Sequence, residues 1–330
     1  MSVSADRGVG MRRGPMVRAH GAWAGIVGVA LVATSISPAA AYTSQHTQRT
    51  LQRDRRVLVD RLDPRQNPGQ RDYSFLNAVG AVWPYPVHKT GPVRKTGAGF
   101  AASTGEEAAS GFLIDRCHVL TNMHVVYDDD LVVHPAPGRP VAFAVGQTGS
   151  ARDHGALQGL KFLRQGIVIA HGDALMIDGM IHDPSDDWAL ILLDDNIDGS
   201  ITPLDIGAVE PTQLPRGVAV SVAGYPSDHR ELRGDGFKFK DLWLSEGAVV
   251  DVTTGDWTAA LIKTTVQTTP GNSGGPLFGN FDGRPLVIGL AQSFRGNGID
   301  ASDSSPNVQV LFTAGTLRRI AAAETQYPCH

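Results

Sequence analysis

The sequence TPGNSGGPL, at residues 269–277, decides how the rest of this chain is interpreted. It places Ser273 among three glycines, with a proline on each side. A helix is excluded there, because an interior helical position costs about 1 kcal/mol for glycine and about 3 kcal/mol for proline. We therefore expect a tight loop that leaves the serine hydroxyl unobstructed and aims two backbone N–H groups into one small space. A nucleophile and donors for an oxyanion are what acyl transfer requires.

Two further segments carry the residue types that would complete such a site. His124 lies in TNMHVV, residues 121–126, which comes just after an apolar run. Asp187 is the second residue of DDWALILL, residues 186–193. A neutral imidazole accepts a proton at neutral pH, and a carboxylate can orient that imidazole. Asp186 is the alternative acid. Neighbours in a strand point to opposite faces, so only one of the two can face the histidine.

Together the three motifs resemble those of the chymotrypsin-fold (trypsin-like) serine proteases, in their bacterial secreted branch. The sequence GNSGGP, residues 271–276, is similar to the nucleophile loop of that family. The resemblance implies a catalytic triad of Ser273, His124 and Asp187, with the N–H groups of Gly271 and Ser273 as the oxyanion hole. It also implies a serine endopeptidase that works through an acyl-enzyme intermediate, without a metal or an organic cofactor.

The rest of the chain favours an all-β fold. Its 38 glycines and 20 prolines are typical of a turn-rich protein, and short apolar runs separated by turn signals recur between residues 77 and 313. The resemblance implies two six-stranded antiparallel β-barrels, with the active site between them and a C-terminal helix. We place the N-terminal barrel at residues 76–205 and the C-terminal barrel at residues 206–330, with the helix over residues 314–324.

The first 75 residues are predicted to precede these barrels. Three arginines between residues 12 and 18 are followed by an apolar run, and three alanines at residues 39–41 form a small-residue cleavage pattern. Residues 1–41 are therefore predicted to be a signal peptide, the alternative being a retained membrane anchor. Residues 42–75 are polar and predicted to be a propeptide or a mobile extension. We expect an exported protein, periplasmic or secreted, without stable membrane association after signal cleavage.

The amino-acid composition limits the kinds of partner that the chain is expected to bind. The formal net charge is −4, so the chain has no excess of basic residues with which to bind nucleic acid. The expected partner is a polypeptide substrate. Two other functions stay open from the sequence alone, namely a catalytically silent binding protein of the same fold and an esterase.

Substrate preference and activation are predicted from positions just before the serine. In the trypsin branch the residue six positions before the serine lines the specificity pocket. The residue at that position here is Gln267. Its neutral amide argues against a strict preference for lysine or arginine. Thr268 is similar to a threonine of glutamate-specific bacterial relatives, although residues 286–293 lack the histidine of those relatives. Asn272 stands where the trypsin branch has the aspartate that pairs with a new N-terminus. We therefore expect the active loop conformation not to depend on where the chain begins.

The two cysteines are the remaining pair of interest. Cys117 and Cys329 can form one intramolecular disulfide, which export would permit, and the alternative is two free thiols. The chain has no Cys-x-x-Cys and no cysteine–histidine cluster at zinc spacing, so no metal site is expected.

Overall fold

The computed structural model describes residues 55–59, 73–83, 109–126, 140–145, 162–177, 180–226, 242–254, 260–292, 301–302 and 304–330. All of them belong to one compact unit, Ser44–His330. The predicted signal peptide, residues 1–41, lies outside the described residues. Among the helices of the described ranges, none combines the length and the apolar composition needed to cross a membrane.

These ranges contain fifteen strands and one α-helix. In chain order the strands are β1 (Val57–Leu58), β2 (Val79–Trp83), β3 (Ala109–Leu113), β4 (His118–Thr121), β5 (Pro140–Val145), β6 (Phe162–His171), β7 (Leu175–Ile177), β8 (Met180–Asp183), β9 (Ala189–Leu193), β10 (Ala219–Gly224), β11 (Trp243–Thr254), β12 (Ala260–Thr264), β13 (Pro276–Phe281), β14 (Arg284–Leu290) and β15 (Asn307–Leu311). The helix α1 spans Ala314–Gln326. Short 3₁₀ turns occupy Ser74–Ala78, Met123–Val125 and Pro211–Gln213.

Six strands close into the first barrel, in the order β2-β3-β4-β9-β6-β5. Every pairing in it is antiparallel. Buried aromatic and branched aliphatic side chains from all six of these strands belong to one core cluster, including Val82, Phe112, Leu120, Phe143, Val168 and Ile191. The short hairpin of β7 and β8 lies in the chain between β6 and β9.

The second barrel is formed by the later strands. Its sheet has the order β1-β11-β10-β13-β14-β15-β12, and β11 also pairs with β12, so the six strands other than β1 close on themselves. In β12 burial alternates along the strand, because successive side chains point to opposite faces of the sheet. The inward side chains pack in a second core that includes Val220, Ile262, Leu277 and Ile288. The prediction of an all-β fold with two six-stranded antiparallel barrels and a C-terminal helix is confirmed.

Strand β1 comes from the segment predicted to be a propeptide or mobile extension, residues 42–75. It pairs antiparallel with Leu244 and Trp243 of β11. Residues 55–59, which include β1, therefore lie against the second barrel. A two-residue strand in a polar segment is too short to show a hydrophobic period, which is why the sequence did not indicate it. Removal of the extension from the mature protein stays a prediction.

The C-terminal helix begins at a side-chain cap and packs against the first barrel. The Thr313 hydroxyl accepts a hydrogen bond from the Thr316 N–H at 3.0 Å, which satisfies a donor of the first turn. Ile320 and Ala323 are buried on the inward face, and Ile320 belongs to the core cluster that the first barrel also supplies. The helix was predicted to end at residue 324 and extends two residues further.

Candidate active site

His124 and Asp187 are brought together by the pairing of two strands in the first barrel. His124 lies in the 3₁₀ turn that follows β4, and Asp187 lies two residues before β9. These strands are antiparallel, with Thr121 opposite Ala189, so the end of one lies beside the start of the other. His124 Nδ1 is 2.6 Å from Asp187 Oδ2, and the His124 backbone N–H donates to Asp187 Oδ1 at 3.0 Å.

This contact decides which imidazole nitrogen can act as a base. Asp187 is completely buried, whereas the His124 side chain is 19% exposed. An ionised carboxylate only accepts hydrogen bonds, so Nδ1 carries the proton and donates it to Asp187. In the neutral imidazole Nε2 then holds the free lone pair. That nitrogen can take a proton from a hydroxyl group.

Two amide side chains hold Asp187 in place. Gln292, which follows β14 in the second barrel, donates from Nε2 to Asp187 Oδ2 at 3.0 Å. Asn122 donates from Nδ2 to the Asp187 backbone carbonyl at 2.7 Å. Asn122 lies within the histidine motif, but no sequence signal indicated its contact. Gln292 was missed because only the fold brings residues 105 positions apart together.

The loop that carries Ser273 packs directly against the end of β4. Gly274 has a φ of 81°, which favours glycine. A Cβ atom there would lie 2.1 Å from Thr121 Oγ1 and 2.2 Å from the Ser110 carbonyl oxygen. Only glycine permits this approach. The close packing places Ser273 beside the short segment that joins Thr121 to His124.

Ser110 of the first barrel fixes the same loop through its backbone and its side chain. Its N–H donates to the Ser273 carbonyl at 2.8 Å, and its hydroxyl donates to the Gly271 carbonyl at 2.7 Å. The hydroxyl also accepts from the Tyr225 N–H at 2.9 Å, and the Ser110 carbonyl accepts from the Thr121 hydroxyl at 2.8 Å. Ser110 is completely buried. The position of the loop that carries Ser273 therefore depends on a residue of the other barrel.

The two N–H groups predicted for the oxyanion hole belong to peptide groups that the loop constrains. The Asn272 carbonyl accepts from the Gly275 N–H at 2.9 Å. The C=O and N–H of one trans peptide group point in opposite directions, so the Ser273 N–H points away from Gly275. Gly271 has a φ of 94°, a conformation that favours glycine. These constraints set the direction of the backbone on both sides of Asn272.

Asp186 faces away from His124 and serves a different group of residues. It is only 7% exposed. Its Oδ1 accepts from Trp188 Nε1 at 2.7 Å, and its Oδ2 accepts from the Asp173 N–H at 2.7 Å and from Arg319 Nη1 at 2.6 Å. The structure thus brings Asp187, and not Asp186, to the imidazole.

The two residues predicted for the specificity pocket have different surroundings. Thr268 donates from its hydroxyl to the Gln292 carbonyl at 3.2 Å and accepts from Asn307 Nδ2 at 3.2 Å. It therefore lies next to the residue that contacts the buried acid. Gln267 is 1% exposed, and its side-chain oxygen accepts from the Arg55 N–H at 2.6 Å. That oxygen faces the N-terminal segment, and the role of both residues in substrate preference stays a prediction.

The predicted cysteine pair lies away from these residues, at the start of β4. Cys117 and Cys329 form a disulfide with their Cα atoms 5.7 Å apart. Together with Asp115 and His118 they place four potential metal-ligand atoms within 4.8 Å of one another. The disulfide takes up both sulfurs, and a cysteine binds a metal ion only as a free thiolate.

Asp115 and His118 form a close pair beside the disulfide. His118 Nδ1 is 2.6 Å from Asp115 Oδ2, and His118 Nε2 is 2.9 Å from the Tyr327 carbonyl oxygen. Burial alone would lower the pKa of His118, but the hydrogen bond and charge of Asp115 outweigh it and raise that pKa. Burial alone would raise the pKa of Asp115, but hydrogen bonds from His118 and from backbone N–H groups outweigh it and lower that pKa.

Comparison with solved structures finds the same architecture elsewhere. A Glu endopeptidase in complex with MPD aligns with a TM-score of 0.51 and 21% sequence identity, over 83% of this chain and 98% of that chain. Two structures of the inactive form of Rv3671c, a protease from M. tuberculosis H37Rv, align with a TM-score of 0.41 and identities of 18% and 16%, over 78% of this chain and 91% of each. Among curated protein sequences, none matches this chain. The Glu endopeptidase likeness shows a shared fold.

A family comparison covers the residues described above. The model of the trypsin-like peptidase domain matches residues 109–290, which are 182 of the 330 residues and so more than half of the chain. The matched range includes His124, Asp187 and Ser273. This chain belongs to the trypsin-like peptidase family.

Proposed function

We propose that this trypsin-like peptidase is an exported serine endopeptidase with a triad of Ser273, His124 and Asp187. The observation that carries the proposal is the 2.6 Å contact between His124 Nδ1 and Asp187 Oδ2, made beside the loop of Ser273. Such a contact orients the imidazole and leaves Nε2 to receive the serine proton. The substrate is a polypeptide, in keeping with the family.

The reaction proceeds in two halves through one covalent intermediate. Ser273 Oγ attacks the carbonyl carbon of the scissile bond while its proton passes to His124 Nε2. The imidazolium then protonates the leaving amine as the C–N bond breaks, and an acyl-enzyme ester remains. Water attacks the ester as the same nitrogen takes its proton, and Ser273 Oγ leaves and is reprotonated. The buried carboxylate of Asp187 stabilises the imidazolium in both halves.

The oxyanion of each tetrahedral intermediate receives hydrogen bonds from the N–H groups of Gly271 and Ser273. Both groups lie in a loop whose neighbouring carbonyls are held by Ser110. Donors that are already oriented need no reorganisation as negative charge develops. Loss of one such donor typically lowers kcat by about 10²–10³-fold.

Export is the part of the proposal that rests on other features. The basic and apolar start of the sequence, with its small residues at 39–41, has the order of a signal peptide. The disulfide between Cys117 and Cys329 supports an oxidising compartment. We therefore expect the precursor to be exported and cleaved near residue 41, and the cleaved protein to act outside the cytoplasm.

The proposal is tested by labelling the protein with a fluorophosphonate probe, which reacts with activated serines. The wild type should be labelled, and Ser273→Ala should not be. Ser200→Ala removes an exposed hydroxyl elsewhere and serves as the matched control, which should label like the wild type. Mass spectrometry of the labelled peptide should place the probe on Ser273.

The same preparations separate the two other functions. A folded wild type that never labels would support a silent binding protein. A labelled protein that hydrolyses small esters but cleaves no member of a peptide library would support an esterase. Cleavage of library peptides by the wild type and the Ser200→Ala variant, but not by Ser273→Ala, is the result that the proposal predicts.

A further inference from the structure

A buried arginine from the N-terminal segment reaches the residues that precede the nucleophile. Arg56 is only 6% exposed, and its Nη1 donates to Thr269 Oγ1 at 2.6 Å. The two residues are 213 positions apart. A guanidinium is costly to bury unless it is hydrogen-bonded, so this placement favours a defined role for the contact.

Thr269 is in turn joined to Asn272, the residue directly before Ser273. Asn272 Oδ1 accepts from the Thr269 N–H at 3.1 Å and from the Thr269 hydroxyl at 3.4 Å. The Asn272 N–H donates back to the Thr269 carbonyl at 3.0 Å. These three hydrogen bonds close the turn that contains Gly271, and they leave little freedom for the backbone that leads into Ser273.

The direction of the hydrogen bonds follows from the chemistry of arginine. A guanidinium only donates, so the Thr269 oxygen must act as the acceptor of Arg56. The single hydroxyl proton of Thr269 is then the one donated to Asn272 Oδ1. A hydrogen bond to a charged donor polarises the hydroxyl and strengthens the next bond in the chain. The cation thus favours the arrangement that closes the turn.

The segment that carries Arg56 is itself held on both sides. Residues 55–59, which we call the N-terminal clasp, pair through β1 with β11, and the Val59 N–H donates to the Leu242 carbonyl at 2.9 Å. The Arg55 N–H donates to the Gln267 side-chain oxygen, and its guanidinium donates to the Thr265 carbonyl at 3.2 Å. Arg56 therefore contacts Thr269 from a segment that is fixed to the second barrel on both sides.

We infer that Arg56 is a positioning residue for the nucleophile loop, acting through Thr269 and Asn272 on the N–H groups of Gly271 and Ser273. The inference rests on the proposed function. It assigns to an arginine within the chain the task that a newly cut N-terminus performs in the trypsin branch. The inference predicts the opposite of the expectation from Asn272 alone, since activity would then depend on the clasp staying attached.

The test compares Arg56→Ala with Arg55→Ala in the chain from Tyr42 onward. Arg55→Ala is the matched control, because its guanidinium reaches the carbonyls of Thr265 and Ala301 and not the nucleophile loop. On one small peptide substrate Arg56→Ala should lower kcat about 10–100-fold, which is less than the 10²–10³-fold typical of a deleted oxyanion donor. KM should change less than about threefold, because substrate contacts are kept. Arg55→Ala should keep kcat within about threefold of the wild type.

Chemical rescue distinguishes a positioning role of Arg56 from a merely structural one. In Arg56→Gly, added ethylguanidinium should restore at least part of kcat, whereas ethylammonium at the same concentration should not, because only a planar fork replaces the donors of arginine. Thermal unfolding of each variant, measured on the Ser273→Ala background to prevent self-cleavage, reports whether the variant is folded.

If Arg56→Ala does not fold, Thr269 provides the second route. Thr269→Val removes the hydroxyl at nearly constant volume and should lower kcat as Arg56→Ala would, whereas Thr269→Ser should retain most of the activity. Unchanged kcat in a folded Arg56→Ala or Thr269→Val variant overturns the inference. So does a fully active protein whose N-terminal sequencing shows a start after Arg56. A wild type that never labels with the fluorophosphonate instead removes the proposed function itself.

Discussion

Replacing Asp186 by asparagine should weaken the fold rather than the chemistry, although its neighbour is the catalytic acid that we propose. The Asp186 carboxylate accepts from Trp188 Nε1, from the Asp173 N–H and from Arg319 Nη1. An asparagine that keeps its oxygen on Trp188 turns an NH₂ group toward the other two groups. Both of those groups are donors, so two hydrogen bonds are lost and donors face each other.

The size of the effect follows from these two lost bonds. Both lost hydrogen bonds end on the Asp186 carboxylate, and a hydrogen bond to a charged group contributes about 1.5–3 kcal/mol. The Arg319 side chain is 34% exposed, so solvent screening lowers the contribution of its bond to about 0.5–1 kcal/mol. We expect Asp186→Asn to lower the free energy of unfolding by about 2–4 kcal/mol.

Guanidinium denaturation on the Ser273→Ala background measures this change, and active enzyme gives the kinetic comparison. The denaturation midpoint should fall without a change in the slope of the transition. Asp186→Asn should keep kcat within about tenfold of the wild type, whereas Asp187→Asn should lower it about 10⁴-fold. An unchanged midpoint for Asp186→Asn, or a loss of kcat as large as that of Asp187→Asn, would refute the assignment of the two carboxylates.

Three further predictions concern contacts that support the site and the fold. Gln292→Leu removes the donor to Asp187 Oδ2 and should lower kcat about tenfold, the equivalent of about 1.4 kcal/mol, with little change in KM; steady-state kinetics that match the wild type would contradict it. Cys329→Ser opens a loop of more than 200 residues and should lower the free energy of unfolding by up to about 5 kcal/mol in the chain-entropy model, and denaturation of this variant beside the unreduced wild type measures it. The raised pKa of His118 contributes stability that is present below the ordinary value of 6.5 and is lost as the pH rises through the raised pKa, while the lowered pKa of Asp115 contributes stability that is lost only as the pH falls below 3.8. His118→Gln should therefore destabilise the protein more near pH 5.5 than near pH 8.5, and equal losses at both values would show that the pair does not act this way.

The sequence indicated the fold because its signals are local and repeated. Short apolar runs ending at glycine, proline and aspartate predict strands and turns wherever they occur. The loop around Ser273 could be predicted for the same reason, since no regular element accommodates its composition. The choice of Asp187 over Asp186 as the residue facing His124 came from the resemblance to the family motif, since alternation along a strand required only that one of the two could do so. The surroundings of Asp186 could not be predicted from the sequence, because charged residues are mostly exposed and no local sequence signal indicates a contact with a distant arginine.

The contacts that hold the site could not be predicted from the sequence, since each one joins residues that only the fold brings together. Gln292 meets Asp187 across 105 positions, and Ser110 meets Gly271 across 161. Neither residue type is unusual at its position, and neither spacing recurs. The clasp was hidden for a different reason: its strand is two residues long and lies in a polar segment, where the interactions that order it are backbone pairing and one buried guanidinium.

Two of these contacts cross between the barrels in opposite directions. Ser110 of the first barrel holds the Gly271 and Ser273 carbonyls of the loop that carries Ser273, and Gln292 of the second barrel holds Asp187 of the first. Gly274 adds a third constraint, because its approach to Thr121 leaves no room for a side chain. Each barrel therefore completes the part of the site that the other one carries. A shift of one barrel against the other by even an ångström would lengthen all of these hydrogen bonds together, and a misplacement of that size can cost about 10²-fold in rate. The packing between the barrels is thus part of the catalytic geometry that we propose, and substitutions at Ser110 should affect kcat through the loop of Ser273 without touching the substrate.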